Sequence, residues 1–237
     1  MNVDVTFAPE EVNTPEIIEK SILIVDILRA TSTITTAIAN GASFIIPVNT
    51  PEEAFKLYKE HYEKTILGGE VEGKRAEGFH LGNSLSEYTP SVVKDKRIIF
   101  RTTNGTKAIN TCISAKHLAI GSFLNQTTVC KHLLKLVNDI LIVCSGEEGK
   151  FGMEDTVFAG ACVHSLSQSN SINKTDTAIA AETLYQAFKT NILQMLQNSE
   201  HGRYLVSIGL ENDLFLCSKI DTTTAIPIYK DGRIIGV

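Results

Sequence analysis

The stretch that decides the fold is ILIVDILRATSTITTAIAN, residues 22–40. Its first four residues, Ile22 to Val25, are all aliphatic, as is typical of a short strand. A polar cluster from Asp26 to Thr33 follows at once, and a helix-period segment, predicted as a helix over Thr31–Asn40, completes the stretch. A strand that runs through a polar loop into a helix is the building unit of α/β proteins.

The same alternation continues along the chain. Strands are predicted at runs rich in Ile, Val and Phe: Val3–Phe7, Ile22–Val25, Phe44–Val48, Ile98–Phe100, Leu118–Ile120 and Ile140–Val143. The helices predicted between them are Thr31–Asn40, Pro51–Tyr62, Thr106–Ile113, Gln126–Val137 and Asp155–Ser165. This order predicts an α/β fold in which helices cover both faces of a mostly parallel sheet.

The C-terminal part has a different pattern. Residues Ser167 to Ser218 are predicted to form consecutive helices without strands, and Ile226–Tyr229 and Arg233–Val237 are predicted to form a hairpin around Asp231-Gly232. We therefore expect one domain over residues 1–237. It would comprise a sheet-forming part of about residues 1–165 packed closely against a mainly helical part of about residues 166–237.

Composition restricts the function classes. Of the 237 residues, 43% are hydrophobic, and the formal net charge of −5 argues against nucleic acid or an anionic membrane as a partner. No apolar run is long enough to cross a bilayer and no signal peptide is evident, so we expect a cytoplasmic protein. The five cysteines are widely spaced and are predicted to be reduced thiols of the core. The apolar C-terminal helices would also allow a homodimer.

One region shows neither the helical nor the strand periodicity of hydrophobic residues. Residues Gly68 to Glu87 are rich in glycine and charge and are predicted to form a long functional loop. Gly68 to Arg75 comes close to a P-loop, but Arg75 stands where that motif needs Ser or Thr, so nucleotide hydrolysis by that route is rejected. Asp26-Ile27-Leu28 likewise lacks the second acid of a haloacid-dehalogenase-type nucleophile motif.

Ligands of open α/β sheets bind beyond the carboxyl ends of the strands, so polar residues directly after a strand are site candidates. Asp26, Arg29 and Thr31 follow the strand Ile22–Val25. A carboxylate there can hold a hard metal ion, while the guanidinium and hydroxyl groups can bind phosphate oxygens. A plain helix N-cap is a compatible interpretation of the same residues.

Two further clusters stand at strand exits. The first follows Ile98–Phe100 and predicts an anion-binding cradle made by Arg101, Thr103, Asn104, Gly105, Thr106 and Lys107. The second follows Ile140–Val143 and offers Mg²⁺ ligands in Glu147 and Glu148, with Asp155 just beyond. Taken alone, the first cluster also fits a tight turn and the second a solvated acidic turn.

Four separated blocks, in one order, carry a resemblance to a known family. They are Val25–Thr33, Gly68–Glu70 with Gly78–Ser84, Arg101–Thr106, and Cys144–Gly146 with Glu154–Gly160. Over almost the whole chain these blocks resemble the 2-phosphosulfolactate phosphatase family, known as ComB. The resemblance implies a three-layer α/β/α fold. It also implies a Mg²⁺-dependent hydrolase that converts 2-phospho-3-sulfolactate to 3-sulfolactate and phosphate, a step towards coenzyme M.

The resemblance and the strand exits together define an expected site. The substrate-binding set is Arg29, Thr31, Arg75, Asn83, Arg101, Thr103, Asn104, Gly105 and Thr106. The Mg²⁺ ligands are expected among Asp26, Glu70, Glu147 and Asp155, and the catalytic residues are expected to be Asp26, Arg29, Glu147 and Asp155. Attack on phosphorus by a metal-activated water is preferred over attack by Asp26, because no second acid nearby would protonate the leaving alkoxide.

Two alternatives stay open on the sequence. One is a phosphatase for another small 2-phosphoacid. The other is a non-catalytic sensor of a phosphorylated or sulfonated metabolite, against which the many acids at the strand exits argue, because an anion receptor gains nothing from them without a metal.

Overall fold

The structure, a computed structural model, describes residues 1–60, 63–169 and 171–237. Its strands are β1 Asn2–Thr6, β2 Ser21–Val25, β3 Phe44–Pro47, β4 Thr65–Val71, β5 Lys74–Arg75, β6 Arg97–Arg101, β7 His117–Gly121, β8 Ile140–Cys144, β9 Asn173–Lys174, β10 Pro227–Lys230 and β11 Arg233–Gly236. Its helices are α1 Ala30–Ala39, α2 Pro51–Glu60, α3 Pro90–Val93, α4 Gly105–Thr111, α5 Gln126–Leu136, α6 Met153–Ser169, α7 Asp176–Phe188, α8 Ile192–Asn198, α9 Glu200–Ser207 and α10 Glu211–Cys217. All the predicted strands and helices are present; the predicted helix end at Tyr62 lies outside the described residues.

The described strands join into one mixed sheet in the order β5-β4-β6-β3-β11-β10-β7-β2-β8-β1-β9. Strands β4, β6 and β3 are parallel to one another, as are β7, β2, β8, β1 and β9. The hairpin β10–β11 lies between these two sets and pairs antiparallel with both β7 and β3. The two parallel sets therefore run in opposite directions along the sheet.

Sheet twist relates the two sets in space. Neighbouring strands rotate by roughly 20–25°, so the five steps from β6 to β2 accumulate about 100–125° of rotation. Residues that follow β6 and β2 do meet, since a Cβ atom at Gly105 would lie 2.7 Å from Asp26 Oδ2.

Helices cover both faces, which confirms the α/β fold and the three layers implied by the resemblance. Alternate residues of β2 divide between two cores: Leu23 and Val25 pack on the side of α5 to α7, and Ile22 and Ile24 on the side of α1 and α4. A smaller core under α2 contains Leu67 of β4 and Ile99 of β6.

The prediction of a loop over Gly68–Glu87 is wrong for its first residues. Residues Thr65–Val71 form β4 beside β6, and Lys74–Arg75 form β5. A Cβ atom at Gly69 would lie 1.9 Å from the carbonyl oxygen of Arg101, so the glycine marks a close approach of two strands rather than a loop. The strand–turn–strand path also confirms that this segment is not a P-loop.

The predicted C-terminal hairpin is confirmed, with Asp231 and Gly232 at positive φ in its turn. The prediction of helices alone from Ser167 to Ser218 is wrong at Asn173–Lys174, which form β9 beside β1 through backbone hydrogen bonds that need no apolar pattern; Asn170, in the same stretch, lies outside the described residues. All five cysteines are free and buried, as predicted. Within the described ranges, no helix combines the length and apolar character that crossing a membrane requires.

Candidate active site

Residues from four strand ends line one cavity of about 340 Å³. Asp26 follows β2, Thr103 and Asn104 follow β6, Glu147 follows β8, and Glu70 lies near the end of β4. The structure therefore brings together acids and polar groups from all three predicted clusters, with Glu70 added from β4.

Asp26 lines this cavity and is 7% exposed. Its Oδ1 accepts a hydrogen bond from the backbone N–H of Ala30 at 3.0 Å, and a Cβ atom at Gly105 would lie 2.7 Å from its Oδ2. Only a glycine therefore lets α4 begin against this carboxylate. Burial raises the pKa of Asp26 to about 6, the hydrogen bond from Ala30 opposes the rise, and the charge of Glu70 adds to it.

Glu70 ties two loops together. Its Oε1 accepts from the N–H of Thr103 and its Oε2 from the N–H of Gly73, both at 2.7 Å. Arg101 donates to the carbonyl oxygen of Glu70 at 2.6 Å and does not line the cavity. Glu70 and Arg101 thus hold the β6 exit against the turn between β4 and β5.

Asp155 does not line the cavity. It is buried, with Oδ1 accepting from Ile27 N–H at 2.8 Å and Oδ2 from Gly146 N–H at 3.1 Å. Burial raises the pKa of Asp155 well above its usual range, and the charges of Glu154 and Asp26 add to this effect. Its observed contacts fix the loops after β2 and β8, while its predicted roles in catalysis and metal binding stay predictions.

Two predicted hydroxyl groups also turn inward. The Thr31 hydroxyl donates to Asp26 O at 2.8 Å and accepts from Asp26 N–H at 3.0 Å. The Thr106 hydroxyl donates to Thr102 O at 2.7 Å. Both side chains shape the loops that carry Asp26 and Thr103, and neither lines the cavity.

The predicted cations are distributed unevenly. Arg29 lines the cavity with its side chain 2% exposed, donating from Nη1 to Asp213 Oδ2 and from Nη2 to Gly73 O, both at 2.6 Å. Lys107 pairs with Glu10 on the surface. Arg75 is exposed and lines a smaller adjoining cavity with Asn83, which lines both cavities.

Helices α9 and α10 add residues that the sequence interpretation missed. His201 Nδ1 lies 3.0 Å from Glu147 Oε2, and the Tyr204 hydroxyl donates to Glu72 O at 2.9 Å. Burial alone would lower the pKa of His201, but the hydrogen bond and charge of Glu147 raise it overall. A His, a Tyr and an Asp in short helices carry no local signal of a site, so these residues were identifiable only from the structure.

A family model described as 2-phosphosulpholactate phosphatase matches residues 6–232. The chain belongs to the 2-phosphosulfolactate phosphatase family. This confirms the resemblance and the prediction of a phosphoric monoester hydrolase.

Relatives named probable 2-phosphosulfolactate phosphatase are similar to this chain over at least 92% of their length. The Clostridium acetobutylicum protein is 37% identical over 237 residues, covering 99% of this chain and 100% of the relative. The Symbiobacterium thermophilum protein is 36% identical over 229 residues, covering 94% of this chain and 98% of the relative. The protein of Caldanaerobacter subterraneus subsp. tengcongensis is 38% identical over 222 residues, covering 93% and 92% respectively.

The cavity of this 2-phosphosulfolactate phosphatase family member is strongly acidic. Its acids are Asp26, Glu70, Glu72, Glu147 and Glu148. Among the described residues that line it, Arg29 is the one arginine or lysine, and Asp213 already compensates its charge. The protein alone therefore does not offset the negative charge of this cavity.

Proposed function

We propose that the protein hydrolyses 2-phospho-3-sulfolactate to 3-sulfolactate and phosphate with the help of Mg²⁺. Family membership and the names of the relatives support the reaction. The cytoplasmic location, a homodimer and a place in coenzyme M biosynthesis are further parts of this proposal that rest on the sequence and the resemblance.

The observation that carries the metal dependence is the acidic cavity. Five carboxylates would repel an ester that bears phosphate, carboxylate and sulfonate groups, unless a cation is bound with it. The raised pKa of Asp26 points the same way, because it reflects a buried charge that the protein compensates poorly.

The donor set fits Mg²⁺. Among the described residues, no three His, Cys, Asp or Glu side chains are grouped closely enough to enclose a metal ion. Mg²⁺ does not need such a cage, because it retains waters and binds through one or two carboxylates together with substrate phosphate oxygens. One or two of the cavity-lining carboxylates Asp26, Glu70 and Glu147 would hold it, and when bound it would neutralise phosphoryl charge and acidify a water molecule.

The side chains around the phosphoryl position have complementary tasks. Ala30 N–H fixes one oxygen of Asp26, which orients the carboxylate towards the cavity. Thr103 and Asn104 line the same wall and can donate to phosphate oxygens. Such positioning is the main contribution that proteins make to phosphoryl transfer.

Phosphate release from 2-phosphosulfolactate tests the proposal directly. We expect release with Mg²⁺, none with a chelator, and at least about a hundredfold loss of kcat in Asp26→Asn, since enzymes lose this much when a key electrostatic group is removed. Asp231→Asn is the matched control, because this exposed hairpin-turn residue makes the same chemical change away from the cavity.

The two alternatives give different results in the same assay. A phosphatase for another 2-phosphoacid would release phosphate from 2-phospholactate at least as fast as from the sulfonated ester. A sensor would bind the esters and release no phosphate from any of them, which would contradict the proposed function.

A further inference from the structure

A second cavity of about 210 Å³ adjoins the acidic one and has the opposite charge. The two share Arg29, Gly73 and Asn83 in their walls. We call the second cavity the basic chamber, because Lys74 and Arg75 of β5 line it together with Arg29. The turn between β4 and β5 thus presents Glu72 to the acidic cavity and two cations to the basic chamber.

The two cations of β5 are free to bind an anion. None of the ion pairs among the described residues includes Lys74 or Arg75. Arg75 makes a long contact of 3.5 Å with His80 O, which is a weak hydrogen bond at best. Glu87 also lines the chamber, but its Oε2 accepts from Gly82 N–H at 2.9 Å.

The wall that the two cavities share contains a buried polar side chain, Asn83. Its side chain is 5% exposed, and its Oδ1 has no hydrogen-bond partner among the described residues. Leaving a buried amide oxygen unpaired costs free energy, so a ligand or an ordered water is expected at this position. Other atoms of Asn83 line both cavities, so a small rotation of its amide would present this oxygen to a ligand.

The substrate of the proposed function has a matching charge distribution. In 2-phospho-3-sulfolactate the phosphate ester and the carboxylate are both attached to C2, whereas the sulfonate is on C3. With the phosphoryl group in the acidic cavity, the sulfonate is the anionic group that extends furthest from phosphorus. Lys74 and Arg75 line the adjoining basic chamber and not the acidic cavity, so their charge complements this outlying group.

We infer that the basic chamber is the subsite for the substrate sulfonate, with Arg75 and Lys74 as the residues that determine specificity for it. The inference rests on the proposed function and adds the basis of its selectivity. Arg29 contributes less net charge to this subsite than the two β5 residues, because Asp213 is paired with it.

Steady-state kinetics with two esters tests the subsite. We expect Arg75→Gln to raise KM for 2-phosphosulfolactate about tenfold and KM for 2-phospholactate, which lacks the sulfonate, less than twofold; Lys74→Gln should act in the same direction. Arg233→Gln is the matched control, because this exposed arginine lines neither cavity. The thermal midpoint should be unchanged in Arg75→Gln and Lys74→Gln, since both substituted side chains are exposed.

Inhibition by the product gives a second measurement. The inhibition constant of 3-sulfolactate should rise about tenfold in Arg75→Gln, while that of lactate should not change. Equal changes in KM for both esters, or no change for either, would overturn the subsite and leave the phosphatase activity in place. Absence of phosphate release by the unsubstituted protein would instead overturn the proposed function and the subsite with it.

Discussion

The sheet side and the helical side of the acidic cavity are built differently. On the sheet side, Asp26, Glu70 and Asp155 accept hydrogen bonds from backbone N–H groups, so their positions follow from the path of the main chain. On the helical side, His201 contacts Glu147 and Asp213 contacts Arg29, each through a single side chain. We therefore expect changes on the helical side to affect stability or binding without dismantling the carboxylates of the sheet side.

The buried pair of Arg29 and Asp213 is the strongest link between the two sides. Asp213→Asn should lower the free energy of unfolding by about 3–5 kcal/mol, because it leaves a buried guanidinium uncompensated. Urea denaturation measures this change. Glu10→Gln, which breaks the exposed pair with Lys107, is the control and should cost at most about 1 kcal/mol. Equal losses in the two variants would contradict the special role of the buried link.

Asp26, on the sheet side, should make the metal-free protein less stable as pH rises. The folded-state pKa of Asp26 is about 6, above the reference value of 3.8. Between about pH 4 and pH 6 the folded state keeps a proton that the unfolded state has lost, so increasing pH favours unfolding. Asp26 should contribute about 2 kcal/mol of the stability lost between pH 4 and pH 7, because each unit of pKa difference is worth about 1.36 kcal/mol and part of the loss already occurs below pH 4.

Urea titrations of the metal-free protein from pH 4 to pH 7 measure this slope. Asp26→Asn should flatten it and should be the more stable protein at pH 7, although Asp155 contributes a residual slope of the same sign. At pH 7, Mg²⁺ should raise the free energy of unfolding of the unsubstituted protein and should leave that of the variant unchanged. If the pH dependence of stability were unchanged in Asp26→Asn, burial would not be raising the pKa of this carboxylate.

Tyr204 tests the weakest contact between the two sides. Tyr204→Phe removes the hydrogen bond from its hydroxyl to Glu72 O and should cost at most about 1 kcal/mol of unfolding free energy. Because Glu72 lines the cavity, a small rise in KM is expected with unchanged kcat. A large fall in kcat would instead place the tyrosine hydroxyl among the groups that act on the reacting atoms.

The sheet side was largely predictable because its signal is local. An aliphatic strand followed by polar residues and a helix marks a strand exit, and Asp26, Asn104 and Glu147 were found by this rule. Thr31 and Thr106 were found by the same rule, yet their hydroxyls bond to the backbone within five residues, as in ordinary capping contacts. Residue type and position could not separate these two outcomes.

By itself, the sequence determined the strand–loop–helix units, the three polar clusters, the C-terminal hairpin and the family. These depend on hydrophobic periodicity and turn chemistry, which act over a few residues. The tertiary structure alone decided that the hairpin separates two oppositely directed sets of strands and that Asp213 pairs with Arg29 across 184 residues. It also decided that the turn between β4 and β5 divides an acidic cavity from a basic one. Such relations arise from the packing of distant segments, and no local pattern encodes them.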